Sequence, residues 1–114
     1  MKLDEIVREL EMDVKSAAQN LCREVAGGYA SDLLSDVIAH AEKDCLWVTL
    51  QVHQNIVAVA VVKELAGIVI VNGRQPEQET LAKAESEGVP ILGTQLATFE
   101  IVGRLYGLGL RGRM

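Results

Sequence analysis

Leu3, Ile6, Val7 and Leu10 recur at i, i+3, i+4 and i+7, the spacing that lines one face of a helix, while Asp4, Glu5, Arg8, Glu9 and Glu11 fall elsewhere. A short first helix is predicted. Past it Met12 and Val14 alternate with Asp13 and Lys15, and residues 21–25 give a second apolar–polar alternation, so both stretches predict short strands. Gly27-Gly28 then predicts a turn, because glycine admits positive φ and close backbone approach. Leu34, Val37, Ile38 and Ala41 return to helical spacing, with Ser31 or Ser35 as the N-cap of a second helix ending near Glu42.

The middle of the chain decides the fold. Residues 45–50 and 67–71 are short, rich in β-branched residues and apolar on both faces, as strands buried on both sides are. Between them, residues 56–62 form an unbroken apolar run that fits a third strand or a crossover helix. Three features favour the helix: Asn55 suits a cap, Ala58, Ala60 and Leu65 are helix formers, and Lys63-Glu64-Leu65-Ala66-Gly67 resembles a last turn closing on glycine. Two parallel strands need such a crossover of about a dozen residues. A helix apolar nearly all round must be covered on more than one side, by the rest of the fold or by a second subunit.

Downstream, Pro76 with Glu77 and Glu79 opens a helix that Gly88 stops. Residues 89–94 then predict a strand, and Thr98 caps a last helix running to Leu108. Strand and helix alternate three times in succession. The expected fold is α/β: a single three-layer domain over residues 1–114 with a mainly parallel sheet flanked by helices. The first helix and short strands occupy residues 1–24, the core 25–108, and a tail 109–114.

Composition narrows function mainly by exclusion. Of 114 residues, 49% are hydrophobic and 24% charged, as in ordinary globular domains, and aromatic residues are only 4%, which leaves little ring surface for stacking bases. The net charge of -5 and the scattering of basic residues among acids argue against nucleic acid as a partner. Arg111 and Arg113, beside Gly112, suit a solvated chain end. The apolar run at 56–62 is far shorter than the ~18 residues of a membrane helix, and the acidic N-terminus has no signal-peptide pattern, so no membrane association and a cytoplasmic location are expected. Cys22 and Cys45 are then expected to be reduced and buried. Cys22, His40, Cys45 and His53 share no ligand spacing, so neither a metal nor a cofactor is predicted.

Candidate chemistry follows from topology. In a parallel sheet, ligands sit beyond the carboxyl ends of the strands, where helix N-termini present unpaired N–H groups. Those ends carry Gln51, His53 and Asn55, then Asn72, Gly73 and Arg74, then Thr94, Gln95 and Thr98. Such a rim suits a small anion or nucleotide, with Arg74 supplying charge. Simple structural roles compete with it: Asn55 and Thr98 serve as caps, Gly73 as a turn. His53 is of a residue type suited to acid–base work, but no serine or cysteine neighbour marks a nucleophile, and a surface or capping role is the simpler account. Residues 88–94 carry the glycine spacing of a P-loop with Thr94 in place of the lysine and Pro90 inside, which rejects phosphoryl transfer by that route. Gly103 and Gly107, one helical turn apart, suit close helix packing at a dimer interface or ordinary packing.

The same residues resemble the DRTGG domain family. The resemblance rests on the strand ending in Val71-Asn72-Gly73, Pro76 opening the following helix, Gly88-Val89-Pro90-Ile91-Leu92 leading into a strand, and Thr98-Phe99-Glu100 at the last helix. It spans residues 25–108. Where members often carry Gly-Asp-Arg, this chain has Gln51-Val52-His53, and the paired glycines become Asn72-Gly73, so no role of the Asp-Arg pair carries over. The resemblance implies a small α/β regulatory or assembly module of the kind appended to phosphate acetyltransferases, CBS-containing pyrophosphatases or HPr kinases, often dimerising. The expected function is a non-catalytic, homodimeric module that modulates a partner enzyme and senses a small anionic metabolite or nucleotide. The alternative is a small enzyme using the strand-end rim, with His53 and Arg74 as participants.

Overall fold

The structure, a computed structural model, describes residues 1–112. Helix α1 (Leu3–Glu9) leads into strand β1 (Asp13–Ser16) and a single 3-10 turn (Ala18–Asn20). Then follow β2 (Gly27–Ala30), α2 (Leu34–His40), β3 (Cys45–Thr49), α3 (Asn55–Val62), β4 (Gly67–Ile70), α4 (Gln78–Glu87), β5 (Ile91–Gly93) and α5 (Thr98–Gly107). The sheet has five strands in the order β1-β5-β4-β3-β2. Strands β2 to β5 are mutually parallel, and β1 joins the far edge antiparallel to β5.

The run at residues 56–62 is therefore the crossover helix. It links β3 to β4, which pair in parallel with Leu46 opposite Gly67 and Thr49 opposite Ile70. Each of the three crossovers steps one strand along the sheet in the same direction, so α2, α3 and α4 share one face. There Trp47, Ile68, Ile70 and Ile91 pack against Val37, Ile56, Val57, Ala60 and Ala84. The alternate strand residues Leu46, Val48, Val69 and Leu92 point to the opposite face, where Leu3 and Ile6 of α1 and Ile101 and Leu105 of α5 cover them. Trp47 is fully buried, and its indole N–H donates to the Ser31 carbonyl at 2.8 Å. Helix α3 is covered by the sheet, α2 and α4, which buries Ile56, Val57, Val59 and Ala60, whereas Val61 and Val62 stay exposed.

Several local expectations fail for identifiable reasons. Residues 21–25 form no strand; Glu24 makes only an isolated bridge to Lys2. Gly27-Gly28 is no turn but the start of β2, held by pairing with Cys45 and Leu46 of β3, and an added Cβ on Gly28 would lie 3.7 Å from the Leu46 carbonyl oxygen. Neither serine caps α2, whose N-cap is Leu33; the Ser31 hydroxyl instead accepts the Leu33 N–H at 3.2 Å. The N-caps of α3 and α5 are Gln54 and Ala97, one residue ahead of Asn55 and Thr98. Helix α3 closes before Gly67: Glu64 takes the left-handed conformation at φ 53°, which leaves Gly67 inside β4, where a Cβ would sit 3.1 Å from the Pro90 carbonyl oxygen. Pro76 does not take the first position of α4, which starts at Gln78 with Glu77 as its N-cap, whereas Gly88 ends the helix as expected, at φ 71°.

Cys45 is buried in β3, but Cys22 is exposed, contrary to expectation. The tail is docked as far as it is described. The Arg111 carbonyl accepts the Gly28 N–H at 3.0 Å, and its guanidinium lies 3.6 Å over the Tyr106 ring centroid. Arg113 lies outside the described residues.

Candidate functional site

The four parallel strands end on one side of the domain, at Ala30, Thr49, Ile70 and Gly93. A hydrogen-bonded hub closes the β2 and β3 ends. Thr49, fully buried, donates its hydroxyl to Asp32 Oδ1 at 3.0 Å, and the Leu50 N–H donates to the same oxygen at 2.8 Å. Gln51 Nε2 donates to the Asp32 carbonyl at 2.8 Å, and the Gln51 N–H donates back to the Thr49 hydroxyl at 3.2 Å. Arg74 reaches in from the β4–α4 loop to donate from Nη1 to the Leu50 carbonyl. One exposed carboxylate thus ties together two strand ends, and the exposed Arg74, held on the Leu50 carbonyl, has no carboxylate partner among the described residues.

The β4 and β5 ends are joined through the backbone. Asn72 and Gly73 both adopt left-handed conformations, at φ 59° and 64°, which asparagine and glycine tolerate best. This turns their N–H groups onto the carbonyls of Leu96 at 2.9 Å and Thr94 at 2.8 Å. A Cβ on Gly73 would stand 2.4 Å from Gln95 Oε1, so the two loops touch here. The Thr94 hydroxyl accepts the Leu96 N–H at 3.2 Å. Because β1 runs the other way, it contributes to the same rim: Lys15 Nζ donates to Gln75 Oε1 at 3.5 Å, and Gln75 Nε2 to the Gly73 carbonyl at 3.4 Å.

Of the nine rim residues predicted, Gln51 and Arg74 join through Asp32 and Leu50, and Gly73, with Asn72, joins Thr94 and the loop carrying Gln95. His53 and Asn55 form a separate local pair at the start of α3, the imidazole Nδ1 accepting the Asn55 N–H at 3.1 Å, which assigns the ring proton to the other nitrogen. Thr98 opens α5. Sequence reasoning missed Asp32 and Lys15. The carboxylate was findable as the first acidic residue after β2, had β2 been recognised; Lys15 reaches the rim only through the antiparallel pairing of β1.

A second polar cluster sits beside the β2 edge. The Tyr29 hydroxyl donates to Asp36 Oδ2 at 2.8 Å, and His40 Nδ1 lies 3.0 Å from Asp36 Oδ1. The hydrogen bond from Tyr29, followed by that from Ser31 and the approach of His40, holds the Asp36 carboxyl below the usual carboxylate range. Its proximity raises the Tyr29 phenol in turn, first through that hydrogen bond and then through desolvation and charge. Two hollows lie away from the strand-end rim. One is an apolar crevice of about 90 Å³ between α5, the tail and β2; the other is an open polar hollow of about 490 Å³ bordered by Asn20, Cys22, Arg23 and Asp44. Among the described residues no group of three or more His, Cys, Asp or Glu side chains could hold a metal ion, and no helix is long and apolar enough to cross a membrane.

Residues 5–108 match the DRTGG domain family, which extends the likeness through the first helix. Among solved structures, the fold is similar to that of the CBS and DRTGG domains of the regulatory region of Clostridium perfringens pyrophosphatase, complexed with its activator diadenosine tetraphosphate. The TM-score is 0.72 and the identity 15%, over 96% of this chain and 47% of that one. This chain thus spans about half the length of the pyrophosphatase region it resembles. No curated protein matches it.

Proposed function

Since the chain belongs to the DRTGG domain family, we propose that it is a non-catalytic regulatory or assembly module, working as a homodimer and modulating a partner enzyme according to the level of a small anionic metabolite or nucleotide. The observation that carries the ligand class is the rim cation: Arg74 is exposed, held at the strand ends by the Leu50 carbonyl, and without a carboxylate partner among the described residues. Lys15 stands at the same rim on Gln75, beside the Asn72-Gly73 turn that Gln95 packs against. Arg74 and Lys15 give the strand-end rim two cations suited to a phosphate-bearing ligand. The pyrophosphatase region of similar fold is bound to a nucleotide activator, which favours nucleotides as the first class to test.

The non-catalytic part of the reading rests on His53. Its Nδ1 accepts the Asn55 backbone N–H and the side chain is exposed, the placement of a local capping histidine. The test is a thermal-shift and calorimetric series with ATP, AMP, diadenosine tetraphosphate, acetyl phosphate and inorganic phosphate. A ligand present at about a hundred times its Kd stabilises the domain by about 2.7 kcal/mol, an unmistakable rise in Tm. Arg74→Ala should abolish the shift while leaving the unliganded Tm nearly unchanged. No shift with any probe, or an equal shift in Arg74→Ala, overturns the rim as the binding site.

A further inference from the structure

Phe99 is the only phenylalanine in the chain, and it is 90% exposed. Val102 and Tyr106 follow it at i+3 and i+7 on α5, 37% and 57% exposed, so three apolar side chains form one outward stripe. Between them Gly103 leaves a gap, since a Cβ built there meets nothing within 4 Å. Single exposed apolar residues need no explanation; a stripe beside an apolar recess does. The crevice between α5 and the open edge of β2 is lined by Ala30, Val48, Val102, Leu105, Tyr106 and Leu110, and its volume of about 90 Å³ suits one side chain. The Arg111 guanidinium covers one face of the Tyr106 ring.

The projecting ring and the recess lie on the same helix, seven residues and therefore roughly 10 Å apart at ~1.5 Å per residue. That spacing is self-complementary. In an antiparallel pair of α5 helices about a twofold axis passing between Val102 and Gly103, Phe99 of each copy faces Tyr106 of the other, and Val102 of each packs into the gap at Gly103. The charges agree with this pairing. Glu100 and Arg104 already bridge within one helix at 3.5 Å, and the same twofold sets Glu100 beside the second copy's Arg104, so no like charges stand opposite. With Phe99 90% and Tyr106 57% exposed, the four rings offer about three rings' worth of surface, on the order of 450–750 Å² at ~150–250 Å² each, which with the two Val102 side chains is the scale of a small, reversible interface.

We propose that α5 is the isologous interface of a homodimer, with Phe99 of each copy seated in the apolar crevice beside Tyr106 of the other. This deepens the dimeric part of the proposed function and rests on it; ligand binding at the rim stands or falls separately.

Sedimentation velocity over a micromolar to submillimolar series should show a reversible dimer. Phe99→Asp and Tyr106→Asp should each weaken self-association on the order of a hundredfold or more. Their circular dichroism should match the parent's, and Val62→Asp on α3 should leave the dimer intact. In a Cys22→Ser background, Gly103→Cys should cross-link on oxidation, because the twofold brings its two copies together, whereas Ala58→Cys should not. A monomer at every concentration, a dimer that survives Phe99→Asp, or a dimer in which Gly103→Cys fails to cross-link would overturn the interface. Nucleotide thermal shifts on the parent protein separate the two ideas: binding by a parent that stays monomeric sinks only the interface, and a parent dimer without binding sinks only the rim.

Discussion

Ser16 ends the antiparallel edge strand where the β1–β5 register slips between Val14 and Ser16, and there the side chain takes over from the ladder. It is 4% exposed; its hydroxyl donates to the Val89 carbonyl at 2.8 Å and accepts the Ile91 N–H at 2.9 Å. One oxygen therefore satisfies two buried backbone groups on either side of Pro90. Ser16→Ala removes it without leaving room for much else, and each of the two orphaned groups costs about 1–3 kcal/mol, so a loss of about 2–6 kcal/mol is expected. With a melting entropy of about 2.1 cal/mol/K per residue over 114 residues, each kcal/mol moves Tm by about 4 °C, giving a fall of about 8–24 °C. Urea denaturation should show a lower midpoint at an unchanged m value. Hydrogen exchange at the Ile91 amide should quicken ahead of the β3 and β4 amides. A change under about 0.5 kcal/mol would refute the claim that the hydroxyl replaces the ladder at the bulge.

Asp32→Ala should cost about 2–3 kcal/mol in the same denaturation assay, because the Thr49 hydroxyl and the Leu50 N–H lose their shared acceptor, while Asp32→Asn, which keeps an oxygen there, should cost about 1 kcal/mol or less. Equal losses would show that charge, not the acceptor position, holds the hub. Gly73→Ala should lose about 1–2 kcal/mol, since a left-handed φ penalises any Cβ and Gln95 must also move aside. The lowered Asp36 carboxyl contributes stability that is complete above the ordinary carboxylate pKa and disappears as pH falls through its depressed folded value. The raised Tyr29 phenol contributes below the ordinary phenol pKa and loses that contribution as pH rises through its elevated folded value. Denaturation midpoints across pH should therefore show the difference between the parent and Asp36→Asn shrinking on the acid side, and that between the parent and Tyr29→Phe on the alkaline side; pH-independent differences would contradict both.

What could be read from sequence was what periodicity and burial impose within one segment. Residues 45–49 and 67–70 are buried strands because they are apolar on both faces, and α3 could be placed between them because parallel neighbours require a crossover. The rim followed from that single inference. What could not be read were features created by distant partners. Gly27 and Gly28 have no strand propensity and are extended only because β3 pairs with them, so the end of β2, and Asp32 with it, went unrecognised. Lys15 reaches Gln75 across 60 residues of sequence, through an edge pairing no local pattern records. Asn55 and Thr98 were good caps by residue type, but His53 occupies the Asn55 N–H and the chain enters α5 at Ala97.

The topology also explains why an interface should form where it is proposed. Three successive crossovers stepping the same way place α2, α3 and α4 on one face, which leaves the other face of a five-stranded sheet to two helices. Helix α1, seven residues long, is short, and α5 starts at the end of β5 and packs over β2 and β3, so its far end and the tail meet the β2 edge. The tail covers that edge only in part: the Arg111 carbonyl takes the Gly28 N–H, and an apolar crevice remains beside it. An open strand edge next to uncovered apolar surface is a hazard that proteins commonly manage by covering it. In the proposed dimer a second copy would do so with groups the chain already exposes. The exposed ring of Phe99 and the thin covering over β2 then have one common cause, the one-directional winding of the sheet, and a charge placed at Phe99 should disturb association while leaving the monomer's core, built from other residues, as stable as before.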